Sequence, residues 1–149
     1  MTENYLIDTN VLVYAYNSSF EKHSLSKSIL ETTMNGGIKA YITDKNLYEF
    51  YAIVTDSKRV EKPVSSEKAI LAIRSLLDSE LNVLITSKRT IAILLDLCKK
   101  YKVKRQKIFD FIFIAVMLEY GIDGIITYNV KDFSFIEEVT VLPPSIELL

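Results

Sequence analysis

Five short apolar runs, YLI (5–7), KAYIT (39–43), NVLIT (82–86), GIIT (124–127) and VTVLP (139–143), are spaced along the chain with longer amphipathic stretches between them. Runs of three to five residues with β-branched or aromatic members suit buried strands, and stretches of 10 to 16 residues between them suit helices. Short strands that alternate with helices imply a mainly parallel sheet covered on both faces. The expected fold is therefore α/β, a three-layer α/β/α sandwich around a central, mainly parallel sheet. The 149 residues suit a single domain over 1–149 that buries roughly two-thirds of its unfolded surface.

The helices carry local signals. VLVYAYNSS leads into a helical region reaching about Met34, and NGG (35–37) stops it, because glycine permits left-handed backbone. Thr43 or Asp44 is the expected N-cap of a helix through TDKNLYEFYAIVTDSK, with Leu47, Phe50, Tyr51 and Val54 along one side. Residues 57–65 are polar, contain Pro63 and read as a loop. The next helix has a serine cap and an expected apolar side of Ile70, Ile73, Leu76 and Leu77. Ser87 caps a helix to about Tyr101. KIFDFIFIAVMLEYG is so apolar that most of its circumference must be covered, and Gly121 is its stop.

Composition excludes several classes. Four glycines argue against a glycine-cradled nucleotide site, and neither G-x-G-x-x-G nor G-K-[ST] is present. One cysteine, Cys98, allows no intrachain disulfide and reads as a buried thiol. His23 stands alone in EKHS and reads as a surface residue. No amino-terminal targeting segment or membrane span is evident, so a cytoplasmic protein without membrane attachment is expected. The net charge of −1 conceals KKYKVKRQK, in which Lys99, Lys100, Lys102, Lys104, Arg105 and Lys107 stand together without an acid. Such a cluster can steer a polyanion; it is equally compatible with a solvated connector.

The acids fall where a site belongs. In open α/β sheets ligands bind beyond the carboxyl ends of the strands. Asp8 follows the first strand directly, and Asn129 and Asp132 follow GIIT. Glu49 lies one to two turns into the helix after KAYIT, and Asp110 lies near the amino end of its helix. Each has a plain structural role available as cap, turn former or exposed acid. Caps and turns, however, do not require these positions to converge on one rim. Clustered carboxylates need a compensating cation, and an all-oxygen set suits Mg²⁺, or Mn²⁺, which acidifies water and stabilises a transferring phosphoryl group. Phosphodiester hydrolysis is the expected chemistry. A haloacid-dehalogenase-like phosphatase expects D-x-D with a following threonine; DTNVL places Asn10 and Leu12 there instead.

LIDTNVLVYA, the Glu within LYEF, IFDFIFIAVMLEYG and IITYNVKDF together resemble the PIN-domain ribonucleases, and the VapC-type toxins of toxin–antitoxin pairs in particular. The resemblance spans nearly the whole chain in order. It implies a metal-dependent endoribonuclease with Asp8 and Asp110 as metal ligands, Glu49 assisting, and Thr127 supporting the site. A fourth acid is usual in T-x-D-x-x-D-F, where this chain has TYNVKDF, so Asn129 replaces an aspartate while Asp132 is kept. Asp132 is expected to brace its loop, and Asn10 and Thr127 to support the pocket. The resemblance further implies an RNA substrate guided by the basic run, a homodimer, and a small antitoxin partner. The alternative is a PIN-like RNA-binding or protein-interaction module. It would be favoured if Asp110 capped its helix away from Asp8.

Overall fold

The computed structural model describes residues 3–149. Strand β1 (Tyr5–Ile7) is followed by α1 (Thr9–Tyr16), α2 (His23–Met34), β2 (Ala40–Thr43), α3 (Asp44–Val54) and α4 (Ser66–Leu77). The chain continues with β3 (Asn82–Leu84), α5 (Lys88–Tyr101), α6 (Lys107–Tyr120), β4 (Gly124–Ile126), α7 (Val130–Phe133) and β5 (Thr140–Leu142). A 3₁₀ turn at Ile146–Leu148 comes last. The strands form one five-stranded sheet in the order β3-β2-β1-β4-β5, and every described pairing is parallel.

Pleating divides the core into two layers. Ile7, Ile42 and Ile126 pack with Val11, Leu12, Leu47, Phe50 and Leu76 on the face covered by α1 to α4. Their neighbours Leu6, Tyr41 and Ile125 pack with Leu94, Leu97 and the apolar side of α6 on the other face. Consecutive strand residues therefore face opposite layers, as a two-residue period requires. The expected three-layer sandwich is the architecture found.

Several local expectations hold, with refinements. Thr43, not Asp44, is the N-cap of α3 and forms a reciprocal capping box with Asn46, and Ser65 and Ser87 cap α4 and α5. Gly121 ends α6 in a left-handed conformation at φ 68°. Residues Phe111 and Phe113 to Met117 are fully enclosed, whereas Phe109, Leu118 and Tyr120 reach solvent, so the cover of α6 is less complete than its composition predicts. No helix among the described residues is long and apolar enough to cross a membrane.

Other expectations need correction. The single helical region before Met34 is two helices. Asn17 Oδ1 accepts from the Ser19 N–H at 3.0 Å and from its hydroxyl at 2.5 Å, and this local turn competes successfully with helix. The buried side of α4 is Ala69 and Leu76; Ile70 and Leu77 are exposed. Cys98 is half-buried rather than enclosed. His23 is also half-buried, with Nδ1 against the Tyr14 carbonyl at 2.8 Å, so it ties α2 to α1.

Asn46 is fully buried and knits together the ends of β1 and β2. Its amide donates to the Ile7 carbonyl and to Thr9 Oγ1, both at 3.0 Å, and its oxygen accepts from the Thr43 N–H at 2.7 Å. Truncating it strands several buried polar groups at once. Asn46→Ala should cost about 2–4 kcal/mol of stability in urea unfolding.

Candidate active site

The sheet order makes β1 the turning point of the topology, since β2 and β3 lie on one side and β4 and β5 on the other. A crevice therefore opens beyond the carboxyl ends of β1 and β4. It is a cleft of about 350 Å³ whose lining includes Asp8, Asn10, Glu49, Arg59, Asp110 and Asn129. Three carboxylates from three separate segments meet there. A roomier groove of about 430 Å³, walled by Tyr16, Phe50, Val54 and Ala72, has no acid in its lining and offers no comparable chemistry.

Asp8 is buried at the end of β1 and is the N-cap of α1. Its Oδ1 accepts from the Thr9 N–H at 2.7 Å, and its Oδ2 accepts from the Thr127 hydroxyl at 2.7 Å. Thr127, itself fully buried, accepts in turn from the Asn129 N–H at 2.9 Å and from the Asn10 amide at 3.4 Å. Asn10 Oδ1 also lies 3.5 Å from the Tyr128 N–H. Thus Thr127 bonds Asp8 directly and Asn10 reaches it through Thr127. Burial raises the Asp8 carboxyl to about 6; the bonds from Thr127 and Thr9 pull it down, and the charges of Glu49 and Asp110 push it up.

Glu49 is held on both oxygens. The Thr9 hydroxyl donates to Oε1 at 2.8 Å, and Lys45, one turn earlier on α3, pairs with Oε2 at 2.9 Å. The Lys45 side chain is only 14% exposed, and its ammonium lies 4.2 Å from the centre of the Phe113 ring. Asp110 is not its helix's cap, because Gln106 holds that position without a side-chain bond. Its Oδ2 pairs with Lys107 at 3.2 Å, and Asp110 faces the same cleft as Asp8.

Asp132 lies outside that lining, half-exposed. Its carboxylate is 3.8 Å from the Lys107 ammonium, and its carbonyl accepts from that ammonium at 2.9 Å. The basic run is less uniform than its sequence. Lys100 pairs with Glu138 at 3.1 Å and Glu137 at 3.6 Å, and Lys107 belongs to the cleft's edge. Lys99, Lys102, Lys104 and Arg105 are exposed without an ion pair among the described residues. Lys102 and Arg105 adopt left-handed backbone, which turns the connector sharply.

Sequence reasoning missed Lys45, Asn46 and Arg59. The four-residue spacing from Lys45 to Glu49 was a usable signal. Asn46 three residues after a threonine cap was another. Nothing local marked Arg59, whose place on the cleft depends on how the loop after α3 folds back.

No group of three His, Cys, Asp or Glu side chains among the described residues is close enough to hold a metal ion as it stands. Glu49 and Asp110 are each engaged by a lysine of their own helix, Lys45 and Lys107. The donor chemistry nevertheless suits a hard divalent cation: every ligand is oxygen, and the buried Asp8 has neutral hydrogen-bond donors and negative neighbours.

The PIN domain family model matches residues 5–137, and the chain belongs to that family. No curated protein matches it. Among solved structures, a toxin–antitoxin complex from Klebsiella pneumoniae is 21% identical with a TM-score of 0.65, covering 95% of this chain and 98% of that one. A sarcin–ricin loop cleaving toxin of Mycobacterium tuberculosis is 16% identical with a TM-score of 0.69, covering 93% and 99%. A Rickettsia felis toxin–antitoxin complex bound to promoter DNA is 18% identical with a TM-score of 0.68, covering 95% and 99%. At these identities the likeness shows a shared fold.

The pH dependence of stability reports on Asp8. Its folded value of about 6 lies above the ordinary 3.8, so between those pH values the folded state binds more protons than the unfolded one. Stability contributed by this group is complete below about 4 and is lost as pH rises through 6, by roughly 2–3 kcal/mol. In EDTA, urea unfolding of Asp8→Asn should lack this loss, and the variant should exceed the wild type in stability at pH 7.

Proposed function

We infer that this chain is a metal-dependent endoribonuclease that hydrolyses RNA phosphodiester bonds, acting as the toxin of a toxin–antitoxin pair. The observation that carries the reading is the meeting of Asp8, Glu49 and Asp110 in one cleft at the turning point of a PIN-family sheet. Asp8 and Asp110 would hold Mg²⁺, or Mn²⁺. The ion, when bound, supplies acidified water and neutralises charge on the phosphoryl group.

The chain's own groups have distinct tasks in this reading. Thr9 and Lys45 fix Glu49 in orientation, and a carboxylate with two donors still has lone pairs for a water. Glu49 then orients the attacking water. The Asn129 amide offers an oxygen without adding charge. Arg59, exposed on the cleft wall, can pair with a substrate phosphate, and Lys99, Lys102, Lys104 and Arg105 can track the RNA backbone. Thr127 and Asn10 hold Asp8 in place throughout. The toxin reading carries with it a homodimer and a small antitoxin partner, and the antitoxin is supported by the Klebsiella structure, a toxin–antitoxin complex.

The second reading, a PIN-like binding module, draws on the lysine pairing that leaves no ready-made metal cluster. Cleavage separates the two. With a panel of RNAs in Mg²⁺, wild type should cut, EDTA should stop it, and Asp8→Asn should lower the rate by at least about a hundredfold. Full activity in Asp8→Asn would reject the nuclease scheme. A binding module would retain RNA affinity and cut nothing. Replacing Lys99, Lys102, Lys104 and Arg105 by alanine should weaken RNA binding and flatten its logarithmic salt dependence by up to about 3. Filter binding across a salt series checks this.

A further inference from the structure

Lys107 is held as few surface lysines are. Its ammonium lies 2.9 Å from the Asp132 carbonyl, 3.2 Å from Asp110 Oδ2 and 3.8 Å from Asp132 Oδ1. The ring centres of Phe133 and Phe135 lie 5.9 and 5.6 Å away. Its side chain is 32% exposed, so water still reaches part of it. Three oxygens and two aromatic faces make a cage for an ammonium ion.

The cage shares a carboxylate with the cleft. Asp110 is its nearest acid, and Asn129 stands in the same cleft without a charge. Glu49, in the same cleft, has its own tethered cation in Lys45. Asp8 differs, because its partners are the neutral Thr9 N–H and Thr127 hydroxyl. Of the three cleft acids, Asp8 therefore has no cationic partner among the described residues. A divalent ion placed between Asp110 and the α7 segment would meet the Lys107 ammonium at close range, and like charges at such separations repel strongly.

We propose that Lys107 is a built-in counter-ion that positions Asp110 and, where Asn129 withholds a carboxylate, restricts the cleft to one divalent ion at Asp8. This inference rests on the metal-nuclease reading. Lys107 acts through Asp110 and is a positioning residue. It fills with an ammonium the place a second ion would need, and a metal drawing Asp110 towards Asp8 must compete with it.

The test is calorimetric titration of the full chain with Mn²⁺, supported by Mn²⁺ electron paramagnetic resonance. Wild type should bind one ion. Lys107→Met should gain a second equivalent and bind the first roughly three- to fivefold tighter, while Lys107→Arg should behave as wild type. In an Asp110→Asn background the effect of Lys107→Met should vanish. Matching circular dichroism and Tm would show that the variants are folded, and Lys107→Gln offers a polar replacement if the methionine variant is not. One ion of unchanged affinity in Lys107→Met would overturn the inference and leave the nuclease reading standing. Tighter binding without a second equivalent would retain the positioning role and overturn the one-ion limit. If neither wild type nor variant binds Mn²⁺, both the reading and the inference fail. If only the variant binds, Lys107 is confirmed as the competitor, and the wild-type metal dependence is what falls.

Discussion

Burying the Asp8 carboxylate at the seam between β1 and β4 is the constraint on which the site depends. A carboxylate there is costly, and burial raises it to about 6 against the pull of two hydrogen bonds. Those bonds come from Thr9, which opens α1, and from Thr127, which closes β4, so one side chain fixes both loops that flank the cleft. The arrangement extends outward through hydroxyls. Asn46 donates to Thr9, Thr9 donates to Glu49, and Asn10 and Asn129 donate to Thr127. Asp8 and Glu49 are therefore backed by buried polar groups anchored beside the strands.

The cleft does not leave its negative charge wholly to an outside cation. Lys45 is shielded between Glu49 and Phe113, and Lys107 is caged between Asp110 and the α7 segment. These lysines reduce the repulsion that three converging acids would otherwise bring to the folded state. Asp8 alone of the three acids has no cationic partner among the described residues.

Positioning of this quality needs rigid walls. Ile7 and Leu6 enter opposite core layers, as do Ile126 and Ile125, so the two strands that deliver Asp8 and Thr127 are packed from both faces. The enclosed stretch of α6 from Phe113 to Met117 begins three residues after Asp110. The acid therefore sits at the edge of one of the most deeply buried parts of the protein. Its lysine partner, three residues earlier, is still free enough to turn towards the next loop.

The sequence alone determined the features that rest on local chemistry. Five short apolar runs separated by helical stretches implied the covered parallel sheet, and serines and threonines before apolar periods located the caps of α3, α4 and α5. Asp8 directly after a strand, with Glu49 and Asp110 near the amino ends of their helices, pointed to one rim, where the cleft has these three carboxylates. Tertiary structure decided what depends on distant partners. The placement of β4 beside β1, the turn of Lys107 towards Asp132, and the entry of Arg59 into the cleft join segments far apart in the chain. The same holds for α4, where Ala69 and Leu76 face the core while Ile70 and Leu77 do not. A helical period defines an apolar side only to within a residue, and packing selects which residues it covers. For the charged groups the reason is electrostatic: whether an acid is compensated depends on cations a few ångströms away in space, and only folding sets that distance.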